Sequence, residues 1–238
     1  MIRMISILKR YDIFKGGPGS GNFGHGGRPG RHGGSGSGAG GSFVRASKSN
    51  LNTFGSDNTK LISSITDKER STINSSYIGT NEGFRINKYL RGKGAPGGKA
   101  GEYQEKASLI SSAIDKSVTT SDIVSYRGIS EGVKTLNIND TLLEKGFLST
   151  TINIEHAENF VLGKHGVVSG RIMEIRIKKG TNALYEKAVI PKSIPKLEWE
   201  LILQKNMVLR KVGKSTFKTV VFNKKINIPV DIMEVVYK

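Results

Sequence analysis

The chain has 238 residues and no cysteine. The protein therefore cannot form disulfide bonds, bind zinc through thiolates or use a cysteine nucleophile, although this absence does not fix its compartment. Long apolar runs are also missing at the start of the chain. Arg3 interrupts the first aliphatic residues and Lys9-Arg10 ends them. This run is too short for a signal peptide or a membrane span, so the sequence predicts neither.

Long aliphatic side chains are absent from residues 16–41, where 14 of the 26 residues are glycine. Such a segment cannot offset its ordering entropy by burial. We therefore expect a basic, flexible tether over residues 1–55 and a folded domain over residues 56–238. Two interpretations of the tether stay open: a plain linker, or a linker with a recognition motif at 19–25 and 28–31. Glycine-rich blocks of this kind resemble those of phage head-associated proteins.

The formal net charge is +17. The first 50 residues hold eight Lys and Arg and one Asp, and the remainder is also basic. A basic surface raises the encounter rate with anionic partners such as nucleic acid, a membrane surface or a pyrophosphate. The sequence carries no RNP, zinc-finger or helix-turn-helix signature, and few of its 16 Phe and Tyr residues are interleaved with Lys or Arg in a stacking pattern. It therefore predicts non-specific attraction rather than specific nucleic-acid binding.

Helical patterns come first in the folded part. Thr66-Asp67-Lys68-Glu69 is a capping box, and it predicts a helix that runs to Tyr77. Three further segments show the helical period, with Asn153 as the N-cap of the last: Glu82–Arg91, Glu102–Lys116 and Ile154–Leu162.

Strand patterns dominate the rest of the chain. Seven stretches rich in β-branched and aromatic residues are separated by turn residues. They are Ile123–Ile129, Gly146–Ile152, Arg171–Lys178, Leu197–Gln204, Met207–Val212, Phe217–Phe222 and Val230–Tyr237. Helices followed by mainly β structure predict an α+β fold.

Two carboxylates lie two residues apart in Glu198-Trp199-Glu200. In an extended strand they would project from the same face, while Trp199 and Leu201 would pack inward. Two like charges on one face favour a functional site. Because this spacing is common by chance, an exposed strand face with two solvated glutamates remains the alternative.

Two other motifs lie on predicted strands, and each is common alone. In Tyr126-Arg127-Gly128, the guanidinium can pair with a phosphate or ribose oxygen, and glycine permits close backbone approach. A surface arginine on an edge strand is the alternative. In Phe147-Leu148-Ser149-Thr150-Thr151, the hydroxyls can brace a pocket, although such residues are also typical of ordinary strands.

In this order, the three motifs resemble those of the Arg-Ser-Glu class of mono-ADP-ribosyltransferases, which includes bacterial exotoxins. The resemblance covers Asp57 to the C-terminus. It implies helices packed on two mainly antiparallel or mixed sheets. It also implies that Arg127 binds NAD, that Ser149 begins the Ser-Thr-Ser motif, where Thr151 replaces the last Ser, and that Glu200 is the catalytic glutamate. Gly128 would bond the nicotinamide amide.

The resemblance also gives Glu198 a role, since arginine-modifying members use a glutamate there to activate the incoming guanidinium. The segment Ile86-Asn87-Lys88-Tyr89-Leu90-Arg91 resembles the one that places an Asn and an Arg against the NAD phosphates. Residues 188–196 match the target-recognition loop in position, and residues 163–170 match the phosphate-nicotinamide loop.

We therefore expect an NAD-dependent protein mono-ADP-ribosyltransferase directed at arginine. The candidate catalytic residues are Arg127, Ser149, Glu198 and Glu200, and the candidate NAD-binding residues are Asn87, Arg91, Arg127, Gly128 and Ser149. NAD is expected as a substrate, with no metal, and the protein as a monomer that is phage-associated or acts in a host cytoplasm. The alternatives are an NAD glycohydrolase and an inactive phage structural or nucleic-acid-associated protein with the same fold.

Overall fold

The computed structural model describes residues 42–78, 80–131, 133, 135–163, 167–190 and 199–236. Most of the predicted tether, residues 1–41, lies outside these ranges, as does Glu198. The described part has an α+β fold, as the sequence predicts. None of its helices is both long and apolar enough to cross a bilayer.

The described helices are α1 (Leu51–Asn58), α2 (Asp67–Thr72), α3 (Asn81–Leu90), α4 (Ala100–Asp115) and α5 (Ile154–Glu158). The predicted capping box is present, since Thr66 and Glu69 exchange hydrogen bonds at the start of α2. Burial opposes ionisation of Glu69, but hydrogen bonds from Lys116, Ser112 and Thr66 lower its pKa to about 2. These bonds tie α2 to the C-terminal end of α4. Helix α2 continues as a π-helical turn over Ile73–Tyr77.

Eight strands form one mixed sheet: β3 (Ile123–Ser130), β4 (Thr141–Glu144), β5 (Leu148–Thr151), β6 (Gly170–Ile177), β7 (Ala183–Tyr185), β8 (Glu200–Leu203), β9 (Met207–Val221) and β10 (Lys224–Val236). All neighbouring pairs in it are antiparallel except β10 and β6. Two further strands, β1 (Thr59–Leu61) and β2 (Ser117–Thr119), form a separate pair. Across the large sheet, the strands follow the order β4-β9-β10-β6-β3-β5-β8-β7.

The large sheet is nearly divided between β3 and β5. These two strands share one residue pair, Tyr126 with Thr151, whereas β3 and β6 share eight. We call this junction the seam. On one side of the seam lie five strands, and on the other lie β5, β8 and β7. The division corresponds to the two sheets that the resemblance implies.

Several predicted boundaries differ from the structure. The two strands predicted at 207–212 and 217–222 are one continuous strand, β9. The strand predicted from Leu197 begins at Glu200, because Trp199 has a φ of +47° and is not extended. The sequence patterns also missed α1 and the strands β1, β2, β4 and β7, since a strand of three or four residues is too short to show alternation.

The described fold begins upstream of residue 56. Val44 forms a bridge to Ile123 on β3, and Phe54 on α1 is 1% exposed. A Cβ at Gly55 would lie 2.4 Å from the Tyr185 ring, so α1 packs tightly on β7. Residues 42–55, which the sequence places in the tether, are therefore part of the packed domain.

Loss of the Phe54 ring should destabilise the domain by about 3 kcal/mol, the usual cost of removing a buried aromatic side chain. Phe54→Ala tests this by urea denaturation. The exposed Asn52 on the same helix provides the control, and Asn52→Ala should change the free energy of unfolding by less than about 0.5 kcal/mol. Equal effects of the two substitutions would show that α1 is not docked.

Candidate active site

The register of the strands brings three sequence motifs together at the seam. Tyr126 on β3 pairs with Thr151 on β5, and Thr151 pairs with Glu200 on β8. Arg127 follows Tyr126 directly, and Ser149 lies on the same strand as Thr151. Residues that are far apart in sequence thus lie on three adjacent strands.

Arg127 links the two halves of the sheet. Its side chain is buried, and Nη1 donates a hydrogen bond of 2.7 Å to the carbonyl oxygen of Ser149. The bond crosses the junction at which the backbone ladder consists of one pair. A charged donor makes a stronger bond than a neutral one, so Arg127 helps to hold β3 against β5.

A buried hydroxyl and amide connect Ser149 to the helices. The Tyr77 hydroxyl lies 3.2 Å from Ser149 Oγ, and Asn87 Nδ2 donates to the Tyr77 hydroxyl at 3.0 Å. Asn87 Oδ1 accepts a bond of 2.8 Å from the backbone N–H of Phe147. The chain of contacts fixes the end of the π-helical turn and α3 against the start of β5.

Glu200 and Arg127 both act electrostatically on Tyr77. Burial raises the pKa of Tyr77 well above its usual value, and the negative charge of Glu200 raises it further. The hydrogen bonds with Ser149 and Asn87 and the charge of Arg127 act in the opposite direction. Tyr77 therefore stays neutral at physiological pH. Glu200 itself is 3% exposed.

The sequence patterns did not single out Tyr77, because they placed it only at the end of a helix. Its role depends on β5, which begins 71 residues later. No local pattern around it indicates that contact. An aromatic hydroxyl at a helix end was the only available signal.

Thr150 and Thr151 brace the same strands. Thr150 Oγ1 donates to the carbonyl oxygen of Leu201 at 2.8 Å, one residue after Glu200. Thr151 Oγ1 accepts a bond of 3.1 Å from the backbone N–H of Asn153. The hydroxyls of this motif thus fix β5 against β8 and against the start of α5.

Asn87 and Arg91, the residues expected at the phosphates of NAD, both contact other residues of the protein. Asn87 is fully buried and bonds Tyr77 and Phe147. Arg91 forms a bidentate ion pair with Glu144, with distances of 2.8 Å and 3.0 Å. Planar guanidinium and carboxylate groups match in this geometry, and the pair is largely buried. Both side chains therefore bond groups of the protein itself.

Packing within the protein also requires glycine at position 128. A Cβ at this position would lie 2.5 Å from Phe160 Cβ and 2.7 Å from the Ala157 carbonyl oxygen. The close neighbour is therefore the segment at the end of α5. Packing against that segment excludes any larger side chain.

Glu198 lies outside the described residues, and so do residues 191–196 of the expected target-recognition loop. The shared face predicted for Glu198 and Glu200 assumes an uninterrupted strand. That assumption is wrong at Trp199, whose positive φ breaks the alternation. Residues 164–166 of the other expected loop, the phosphate-nicotinamide loop, also lie outside the described part. On either side of them, the backbone N–H of Gly163 donates a hydrogen bond of 2.7 Å to the carbonyl oxygen of Val167.

In the described ranges, no group of three or more His, Asp or Glu side chains is close enough to hold a metal ion. The polar groups found at the seam are the carboxylate, guanidinium, hydroxyls and amide described above.

Solved structures of ADP-ribosyltransferases share this fold. BECa, an ADP-ribosylating toxin of a binary enterotoxin of C. perfringens solved with NADH, has a TM-score of 0.57 and 22% identity over 74% of this chain and 45% of that chain. Plx2a, an ADP-ribosyltransferase toxin from Paenibacillus larvae, has a TM-score of 0.58 and 21% identity over 82% of this chain and 99% of that chain. The ADP-ribosyltransferase Vis, solved with agmatine, has a TM-score of 0.53 and 18% identity over 82% of this chain and 88% of that chain.

The chain spans less than half the length of BECa but nearly all of Plx2a. Among curated proteins, none matches the chain in sequence. A family model described as ADP-ribosyltransferase exoenzyme matches residues 51–233, which include the whole described seam. Over this range the chain belongs to the ADP-ribosyltransferase exoenzyme family, whose substrate is NAD.

Proposed function

We propose that the protein is a mono-ADP-ribosyltransferase that transfers ADP-ribose from NAD to an arginine of an acceptor protein and releases nicotinamide. The observation that supports this most directly is the meeting of Arg127, Ser149 and Glu200 at the seam. Each motif is common alone, but their convergence in a chain of this family is not expected of an ordinary sheet.

Glu200 is the proposed electrostatic catalyst. When the bond between the ribose C1′ and nicotinamide breaks, its electron pair leaves with nicotinamide and the ribose acquires oxocarbenium character. A carboxylate near C1′ stabilises that positive charge, and burial strengthens the interaction because little water screens it. Glu200 is a buried carboxylate at the start of a strand, so its position is fixed.

Arg127 and Ser149 are the proposed binding residues. A guanidinium has five N–H donors, so Arg127 is able to hold the Ser149 carbonyl and also bond a phosphate or ribose oxygen of NAD. Ser149 is held by Tyr77 and orients the groups around Glu200. Asn87 and Arg91 support the site from behind, Asn87 through Tyr77 and Phe147 and Arg91 through Glu144.

Arginine is the proposed acceptor because of Glu198. A second carboxylate near C1′ attracts a guanidinium and takes its proton as the nitrogen attacks. The solved structure of Vis contains agmatine, a guanidinium compound, and that protein shares this fold. If water takes the place of the acceptor, the protein is instead an NAD glycohydrolase.

The glycine-rich segment is proposed as a tether for the catalytic domain, on the basis of its composition. We also propose that the enzyme works as a monomer in a host cytoplasm after delivery, in association with a phage. An inactive phage protein that binds nucleic acid is the other candidate, and the net charge of +17 favours it. That protein would bind DNA in a salt-sensitive way without turning over NAD.

Substitution of Glu200 tests the catalytic proposal. Glu200→Gln keeps the size of the side chain but removes its charge, so it should lower NAD hydrolysis and transfer by about a hundredfold or more. Both reactions release nicotinamide, so the release of nicotinamide from labelled NAD in the presence of a host lysate measures their summed rate.

A second buried carboxylate on the same sheet serves as the control. Glu174 on β6 pairs with Arg45, and Glu174→Gln should retain activity within a few-fold while losing that ion pair. Glu200→Gln activity as high as that of Glu174→Gln would remove Glu200 from the catalytic role.

Substitution of Glu198 tests the acceptor. Glu198→Gln should lower transfer to agmatine by about tenfold or more relative to NAD hydrolysis, because a guanidinium needs a nearby base and water needs it less. The quantity to measure is the ratio of ADP-ribosyl-agmatine to free ADP-ribose. If the ratio equals that of the wild type, the acceptor is not arginine, and the glycohydrolase becomes the preferred function.

A further inference from the structure

The long hairpin of β9 and β10 extends beyond the large sheet. Strand β4 pairs only with residues 207–210 of β9, and β6 pairs only with residues 230–234 of β10. The pairing of β9 with β10 continues past both, to Val221 and Lys224. Among the described strands, none flanks residues 216–229. We call these residues the ribbon.

One face of the ribbon is buried and the other is exposed. Phe217 and Ile228 pack in a cluster that includes Ala157 of α5. On the outer side, Val220 is 61% exposed and Phe222, in the turn, is 58% exposed. The buried face fixes the ribbon on α5. The exposed apolar side chains are therefore held at its end.

The same end is strongly basic. The ribbon contains three lysines and no acidic residue. Lys218, Lys224 and Lys225 are exposed on the ribbon, and Lys225 pairs directly with Val220. Two large apolar side chains are thus surrounded by positive charge. No carboxylate of the ribbon neutralises this charge.

We propose that the end of the ribbon docks on an anionic membrane surface. Apolar side chains enter the interface between headgroups and acyl chains, while lysines remain at the anionic headgroups. Both contributions are needed for stable attachment, because either alone is weak. A single-stranded nucleic acid would instead require several aromatic rings along a groove, and the end of the ribbon exposes one, Phe222. Membrane docking would hold the catalytic domain beside membrane-associated acceptors.

Vesicle sedimentation with the full chain tests the proposal. Wild-type protein should bind vesicles of phosphatidylcholine with phosphatidylserine more tightly than vesicles of phosphatidylcholine alone. A double variant that carries Val220→Ser and Phe222→Ser should bind the anionic vesicles about tenfold more weakly. The substitution of Lys218, Lys224 and Lys225 by Gln should weaken it by at least about tenfold.

Matched controls separate this site from general basicity. Leu143 is 51% exposed elsewhere, and Leu143→Ser should leave vesicle binding unchanged. A control variant in which Gln replaces the exposed Lys60, Lys68 and Lys179 loses the same amount of charge. It should weaken vesicle binding much less than the triple lysine variant of the ribbon. NAD hydrolysis without vesicles should stay at the wild-type rate in every variant.

Equal losses for the two triple variants would overturn the proposal, because binding would then follow net charge alone. Unchanged binding in the Val220 and Phe222 variant would also overturn it. A protein that binds single-stranded DNA but stays in the supernatant when anionic vesicles are sedimented would overturn it as well. These outcomes do not depend on the proposed catalytic function, which the NAD assay reports separately.

Discussion

The seam between β3 and β5 is the constraint on which the site depends. One backbone pair joins strands of the two halves of the sheet, so side chains must supply the remaining connections there. Arg127 crosses the junction to Ser149, and Tyr77 and Asn87 hold β5 from the helices. A regular ladder would fill this space with backbone hydrogen bonds and adjacent side chains. The incomplete ladder is what allows polar groups to gather at one point.

Gathering these groups has an electrostatic cost. Buried charges are unfavourable unless they are paired and hydrogen-bonded. The positive charge of Arg127 and the negative charge of Glu200 both act on the buried Tyr77 hydroxyl. Nearby, Arg91 and Glu144 neutralise each other. The site therefore combines charges of both signs with neutral hydroxyls, a preorganised arrangement that suits a reaction in which positive charge develops on ribose.

Long periodic elements were predictable from the sequence, and tertiary contacts were not. The capping box at Thr66 and the helical periods located α2, α3 and α4, and the strand patterns gave the α+β class. The resemblance predicts functional roles for Arg127, Ser149 and Glu200, and the strand register places these residues on adjacent strands. Local patterns carried no information on the Tyr77 contact, the Arg91 ion pair or the positive φ of Trp199. Each of these depends on residues distant in sequence or on a single backbone angle.

A crystal structure of the Glu200→Gln protein with NAD would test the central claim most directly. Slow turnover in this variant should leave the dinucleotide intact. Our account predicts that the C1′ of the nicotinamide ribose lies within about 4 Å of the side chain at position 200, the distance of a reactive arrangement. It also predicts that the Arg127 guanidinium bonds a phosphate or ribose oxygen. A dinucleotide bound away from the seam, with no contact to Arg127 or to residue 200, would contradict the account.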